Sequence, residues 1–146
     1  MIHEQIHATG RLAITLTGPD GHLKDQRDHP NLVVTTGKGW IAARMKTTGQ
    51  PTEMTHLAVG TGATAAAVGD TALGAESARV ALASSVSGAV TTYTATFPAG
   101  TGTAALTEAG LFNANSAGTL LCRTVFPVIN KGASDSLAIT WTITIG

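Results

Sequence analysis

A single cysteine, Cys122, is all the thiol chemistry in this chain, so no intrachain disulfide can form and the fold rests on packing. Set in the run Leu120-Leu121-Cys122, it reads as a small buried side chain rather than a reactive thiol. Charge is scarce too. Charged residues make up 12% of the 146, nine acidic against nine basic, which leaves no electrostatic footprint for nucleic acid or an anionic membrane. No apolar run approaches the roughly twenty residues of a membrane helix, and the N-terminus lacks the apolar stretch of a signal peptide. The expected setting is a cytoplasm, in which the protein stays soluble or assembles.

With so few charges, the surface must be solvated by hydroxyls and backbone, or else covered by other subunits, and the second option fits an assembly component. The length suits one domain with a real core, and apolar residues in period-two blocks argue against disorder. The clearest block closes the sequence. Leu137, Ile139, Trp141, Ile143 and Ile145 alternate with Ala138, Thr140, Thr142 and Thr144, the pattern of a strand with one buried face. Residues 119–126 (TLLCRTVF) read as its hairpin partner, with Pro127 and the Asn130-Lys131-Gly132 turn reversing the chain.

Residues 1–10 form an N-terminal arm, either loosely held or laid across a neighbouring subunit with Met1, Ile2 and Ile6 as contact residues. The domain then spans residues 11–146. Leu12, Ile14 and Leu16 share one face of a strand that turns at Gly18-Pro19-Asp20-Gly21 into residues 23–28, where His29-Pro30 closes the hairpin. Residues 31–35 begin another strand or form an extended lead-in. Trp40, Ile41, Arg44 and Met45 recur at helical spacing, which predicts a helix over residues 37–46 with Thr36 as N-cap. Residues 55–60 form a short strand, and residues 71–79 either a weak helix or an extended crossing. Residues 80–86 and 89–97 pair across Ser87-Gly88, with Tyr93, Ala95 and Phe97 facing inward. The expected fold is mainly β: an antiparallel β-sandwich, jelly-roll-like, with one short helix.

Two motifs invite a chemical reading. His3-Glu4-Gln5-Ile6-His7 matches H-E-x-x-H, whose zinc chemistry needs both histidines one turn apart on a rigid helix and a third ligand. The third-ligand position of the longer pattern is Ala13, and a strand pattern starts at Arg11, so a zinc-dependent hydrolase is a remote alternative. His22, His29 or Glu53 could complete such a site. Gly60-Thr61-Gly62-Ala63-Thr64-Ala65 fits a dinucleotide fingerprint, but the spacing recurs at Gly100-Thr101-Gly102-Thr103-Ala104-Ala105, and two similar turns explain both copies. Asp25, Arg27 and Asp28 form a charged strand edge. Glu108, in the otherwise apolar ALTEAGLF, needs solvent or a partner, which Arg79 or Arg123 could supply across the sheet or in a neighbouring subunit.

The run TEAGLFNANSAGTLLCRTVFPVINKGASDSLAITWTITI, preceded by NLVVTTGKGWIAARM and MTHLAVGTGATAAAVGDTAL, resembles small tailed-bacteriophage virion proteins of the tail-fibre or collar and capsid-decoration types. The resemblance covers about residues 9–145. It implies a non-enzymatic virion structural protein without a cofactor, assembled in the host cytoplasm as a homo-oligomer. Its expected partners are the major capsid protein or tail and collar proteins, not nucleic acid or membrane. A capsid cement or decoration subunit is favoured over a tail-fibre or collar attachment protein, because the chain shows no shaft or receptor-binding tip beyond its one domain.

Overall fold

The computed structural model describes residues 3–146. A first hairpin of β1 (Ala8–Thr17) and β2 (Leu23–Val33) leads into the helix α1 (Thr35–Arg44). Then follow β3 (His56–Gly60), β4 (Glu76–Ala81), β5 (Ala83–Ser87), β6 (Val90–Phe97), β7 (Ala104–Phe112), β8 (Leu120–Lys131) and β9 (Ser136–Ile145). The strands pair antiparallel throughout in the order β4-β3-β7-β8-β2-β1-β9-β6-β5. The two ends of that order, β4 and β5, are consecutive in the chain with only Leu82 between them. One bent segment thus forms both margins of the sheet, which nearly closes on itself and leaves little free edge. The expected mainly β, antiparallel class with one short helix is the class the chain adopts.

The core follows from the alternation in β9. Trp141 stands opposite Leu12 on one side and Tyr93 on the other, Ile139 opposite Ile14 and Ala95, and Leu137 opposite Leu16 and Phe97. All nine of these side chains are buried. Such three-residue rows across neighbouring strands are the unit in which a sheet gains stability, and each large aliphatic or Phe side chain so buried contributes about 1.5–3 kcal/mol. Trp141 also donates its indole N–H to Asn31 Oδ1 at 2.9 Å.

A second, smaller apolar cluster joins Val34, Ala58, Leu73, Phe112 and Leu120. Leu73 belongs to residues 61–75, which connect β3 to β4 without helix or strand of their own and lie over the outer face of β3, β7 and β8. This cover explains why β7 is buried without interruption from Glu108 to Phe112, where a strand with one solvated face would alternate.

The expected hairpin of residues 119–126 with the closing strand does not form: β8 pairs with β7 and β2, and β9 with β1 and β6, because β1 and β2 insert between them. Several boundaries also differ from those the sequence suggests, each for a local reason. The helix spans Thr35–Arg44 rather than 37–46, and its N-cap is Val34; Thr36 donates its hydroxyl to the Leu120 carbonyl instead of capping. Gly37 lets the helix approach β8, since a Cβ there would run into the Leu121 carbonyl. Pro30 does not end β2. Its carbonyl accepts from Thr124 Oγ1 of β8, so its ring nitrogen points where the β2–β8 ladder, confined to Leu32 and Val33, has not begun. Pro127 likewise sits inside β8, in a bulge that sets residues 126–128 against Thr107 alone. The carbonyls of Pro127 and Val128 accept from Arg27 at 2.6 and 3.0 Å. Arg27 therefore closes a seam inside the sheet order, where an exposed edge is expected from sequence. Of the two readings for residues 71–79, the extended one holds from Glu76 onward.

Candidate functional site

The densest polar site is built around Glu108, which is fully buried. On β7 it faces outward, and Arg123 reaches it from β8, donating Nε and Nη2 to Oε2 at 3.1 and 2.9 Å. Three backbone N–H groups of the covering segment complete the coordination. Gly62 and Ala75 donate to Oε1 at 2.9 and 2.7 Å, and Gly74 donates to Oε2 at 2.8 Å. Arg123 is engaged further, donating Nη1 to Asp70 Oδ2 at 2.8 Å and Nη2 to the Thr64 carbonyl at 2.9 Å. Burial pushes the Glu108 carboxyl up, but the N–H donors of Ala75 and Gly74, with Arg123 and Gly62, outweigh it and hold the group below its ordinary value. Asp70 is also held low, by the Ala67 N–H and by Arg123 against the opposing effect of burial.

This geometry accounts for the glycines of the apparent dinucleotide fingerprint. A Cβ on Gly62 would come within 2.6 Å of Glu108 Oε1, and one on Gly60 equally close to the same atom. The chain after Gly62 forms no helix, and the next strand, β4, pairs antiparallel to β3, so neither the helix N-terminus nor the parallel crossover of a dinucleotide site exists here. Amides that would cradle a phosphate hold the protein's own carboxylate. In the second copy, Gly100 and Gly102 have φ of 83° and 71° and serve a turn.

A second buried cluster closes one pole. Lys131 donates to the carbonyls of Asp135 and Pro98 at 2.7 and 3.0 Å, while Asp135 accepts from Lys24 at 2.8 Å and from the Gly132 N–H at 2.7 Å. Burial lowers the Lys131 ammonium, and the Lys24 and Gly132 donors lower Asp135.

The histidine motif takes no catalytic form. Residues 3–7 are irregular, not helical, and His7 exchanges backbone hydrogen bonds with Gly146 at 2.6 and 2.9 Å, so His3 and His7 do not lie one helical turn apart. His22 pairs with Asp20, and His29 contacts Thr124 and the Pro30 carbonyl. Among the described residues no group of three or more His, Cys, Asp or Glu side chains gathers to hold a metal. Cys122 is buried and its thiol is pushed well up by that burial.

Of the expected contact residues, Met1 and Ile2 lie outside the described residues. Ile6 is 70% exposed and lines an open groove of about 450 Å³ with Ala8, Ile145, the α1 residue Ile41 and Met45 at the C-cap of α1, the last 80% exposed. The contribution of α1 to this groove was not signalled by the sequence; Ile41 and Met45 at helical spacing were the available clue. Nor did the sequence reveal that the two ends of residues 61–75 converge on Glu108, although Gly60, Gly62 and Gly74 mark a close backbone approach. No family model, no curated protein and no solved structure matches this chain.

Proposed function

We propose that this chain is a non-enzymatic structural protein of a tailed-bacteriophage virion, a capsid cement or decoration subunit that works as a homo-oligomer against the major capsid protein. The observation that carries this reading is how the protein uses its polar and apolar groups. The buried ionisable side chains Glu108, Arg123, Lys131 and Asp135 are consumed by internal contacts, whereas Ile6 and Met45 remain exposed beside an open groove. Such a surface is suited to protein contact rather than to bond-making chemistry. The sequence blocks that resemble tailed-phage virion proteins support the same reading.

Quantitative mass spectrometry of purified virions tests it. Hundreds of copies per particle support a shell subunit, about six to eighteen would move the protein to a tail or collar ring, and absence from the particle would overturn the reading. Ile6→Asp and Met45→Asp should each weaken binding to emptied shells while leaving the isolated fold intact.

A further inference from the structure

Residues 61–75 cross the outer face of the sheet without forming a helix or strand. Their attachment is concentrated on two barrel side chains. Glu108 takes the N–H groups of Gly62 at one end of the segment and of Gly74 and Ala75 at the other, so one carboxylate staples both ends. Arg123 takes the middle, through Asp70 and the Thr64 carbonyl. Beyond these, the Thr61 N–H donates to the Ala75 carbonyl at 2.9 Å and joins the two ends directly, the Thr107 hydroxyl donates to the Gly62 carbonyl, the Thr35 N–H donates to the Val68 carbonyl, and Leu73 packs into the small outer cluster. Open cavities of about 340 and 360 Å³ border the segment, and Arg123 lines both. The other charged groups nearby, Glu76 and Arg79 on β4, pair with each other. A segment with sparse packing and a few concentrated anchors is the kind that opens below the free energy of global unfolding.

We propose that residues 61–75 are a latch: a strap that closes over the sheet only while a carboxylate occupies the nest formed by Gly62, Gly74, Ala75 and Arg123, and that opens as one unit with the barrel intact when the carboxylate is removed. The nest is an anion site of backbone N–H groups and a guanidinium, filled in cis. Opening lifts Leu73 and uncovers Ala58, Phe112 and Leu120, an apolar face hidden in the closed form.

Hydrogen-exchange mass spectrometry on the full chain tests the latch, comparing wild type with Glu108→Ala and the near-isosteric Glu108→Gln. In both variants peptides from residues 61–75 should exchange at least about tenfold faster, and by a larger factor than β1 and β9, whose protection follows global stability. Sodium acetate should restore strap protection to Glu108→Ala, where sodium chloride at equal ionic strength should not. Unchanged strap exchange, uniform acceleration across every strand, or rescue no better in acetate than in chloride would each overturn the proposal. Should Glu108→Ala be unfolded in chloride, folding in acetate supports the latch and failure to fold in acetate counts against it.

Discussion

Arg123 sits diagonally across the β7–β8 ladder from Glu108: Glu108 is paired with Val125 and Gly110 with Arg123, and both charged side chains rise from the same outer face. At 2.9 Å, with 3% of the arginine side chain exposed and none of the glutamate, the pair is a buried ion pair in which each charge has further hydrogen bonds. Removing one member of such a pair strands the other. Arg123→Met should therefore cost about 3–5 kcal/mol in urea unfolding, far more than an exposed pair such as Arg11–Asp28, whose loss should cost about 0–1 kcal/mol. Equal costs for the two would contradict this account of the site.

Much of the barrel was legible because β1, β6 and β9 each bury one face, which imposes a period of two on Leu12 to Leu16, Tyr93 to Phe97 and Leu137 to Ile143. The prolines of β2 and β8 suggest earlier ends than the strands have, because a missing N–H ends a strand only where the ladder needs that donor, and register is set by tertiary pairing. The covering segment was illegible for a different reason. It has no periodicity, and its order comes from two side chains distant in sequence. Glu108 announced its need of a partner; only the fold chose Arg123, while Arg79 stacks on Phe112 at 3.7 Å and pairs with Glu76.

The depressed carboxyls dictate the acid limb of stability. Glu108, Asp70 and Asp135 all have folded pKa values below their ordinary ones. Each therefore contributes stability that is fully present above the unfolded carboxylate range, about pH 4, and is lost as pH falls through the lower folded value. Stability from urea titrations should be level from neutral pH down to about pH 5 and then fall. In Glu108→Gln that acid slope should be shallower. An unchanged slope would mean that Glu108 does not titrate with the fold.

On the opposite limb the raised Cys122 thiol acts together with Tyr93. Tyr93 is the one tyrosine in the chain, and burial, with a smaller contribution from Cys122, pushes its phenol up to about 12. A raised folded value means that its contribution is whole below the unfolded pKa, about 10, and is lost as pH climbs through the folded one. Phenolate absorbance should consequently lag that of a model tyrosine and then appear together with unfolding. Smooth titration near the unfolded value, with the near-ultraviolet circular dichroism still native, would place Tyr93 outside the core.

Two glycines of α1 make a paired test of how the helix docks. In an exposed helix, Gly→Ala gains about 1 kcal/mol, because glycine has more backbone freedom to lose. Gly39 has no atom within 4 Å of an added Cβ, so Gly39→Ala should be stabilising by about that amount. Gly37 is buried against β8, and its added Cβ would collide with the Leu121 carbonyl, a backbone atom held by the sheet. There the propensity gain is overridden by the forced separation of α1 from β8, as overpacking typically costs about 1–3 kcal/mol, so Gly37→Ala should be destabilising. Thermal or urea unfolding of the two variants should move in opposite directions from wild type, and a shift of the same sign in both would mean that α1 does not rest against β8 at its first turn.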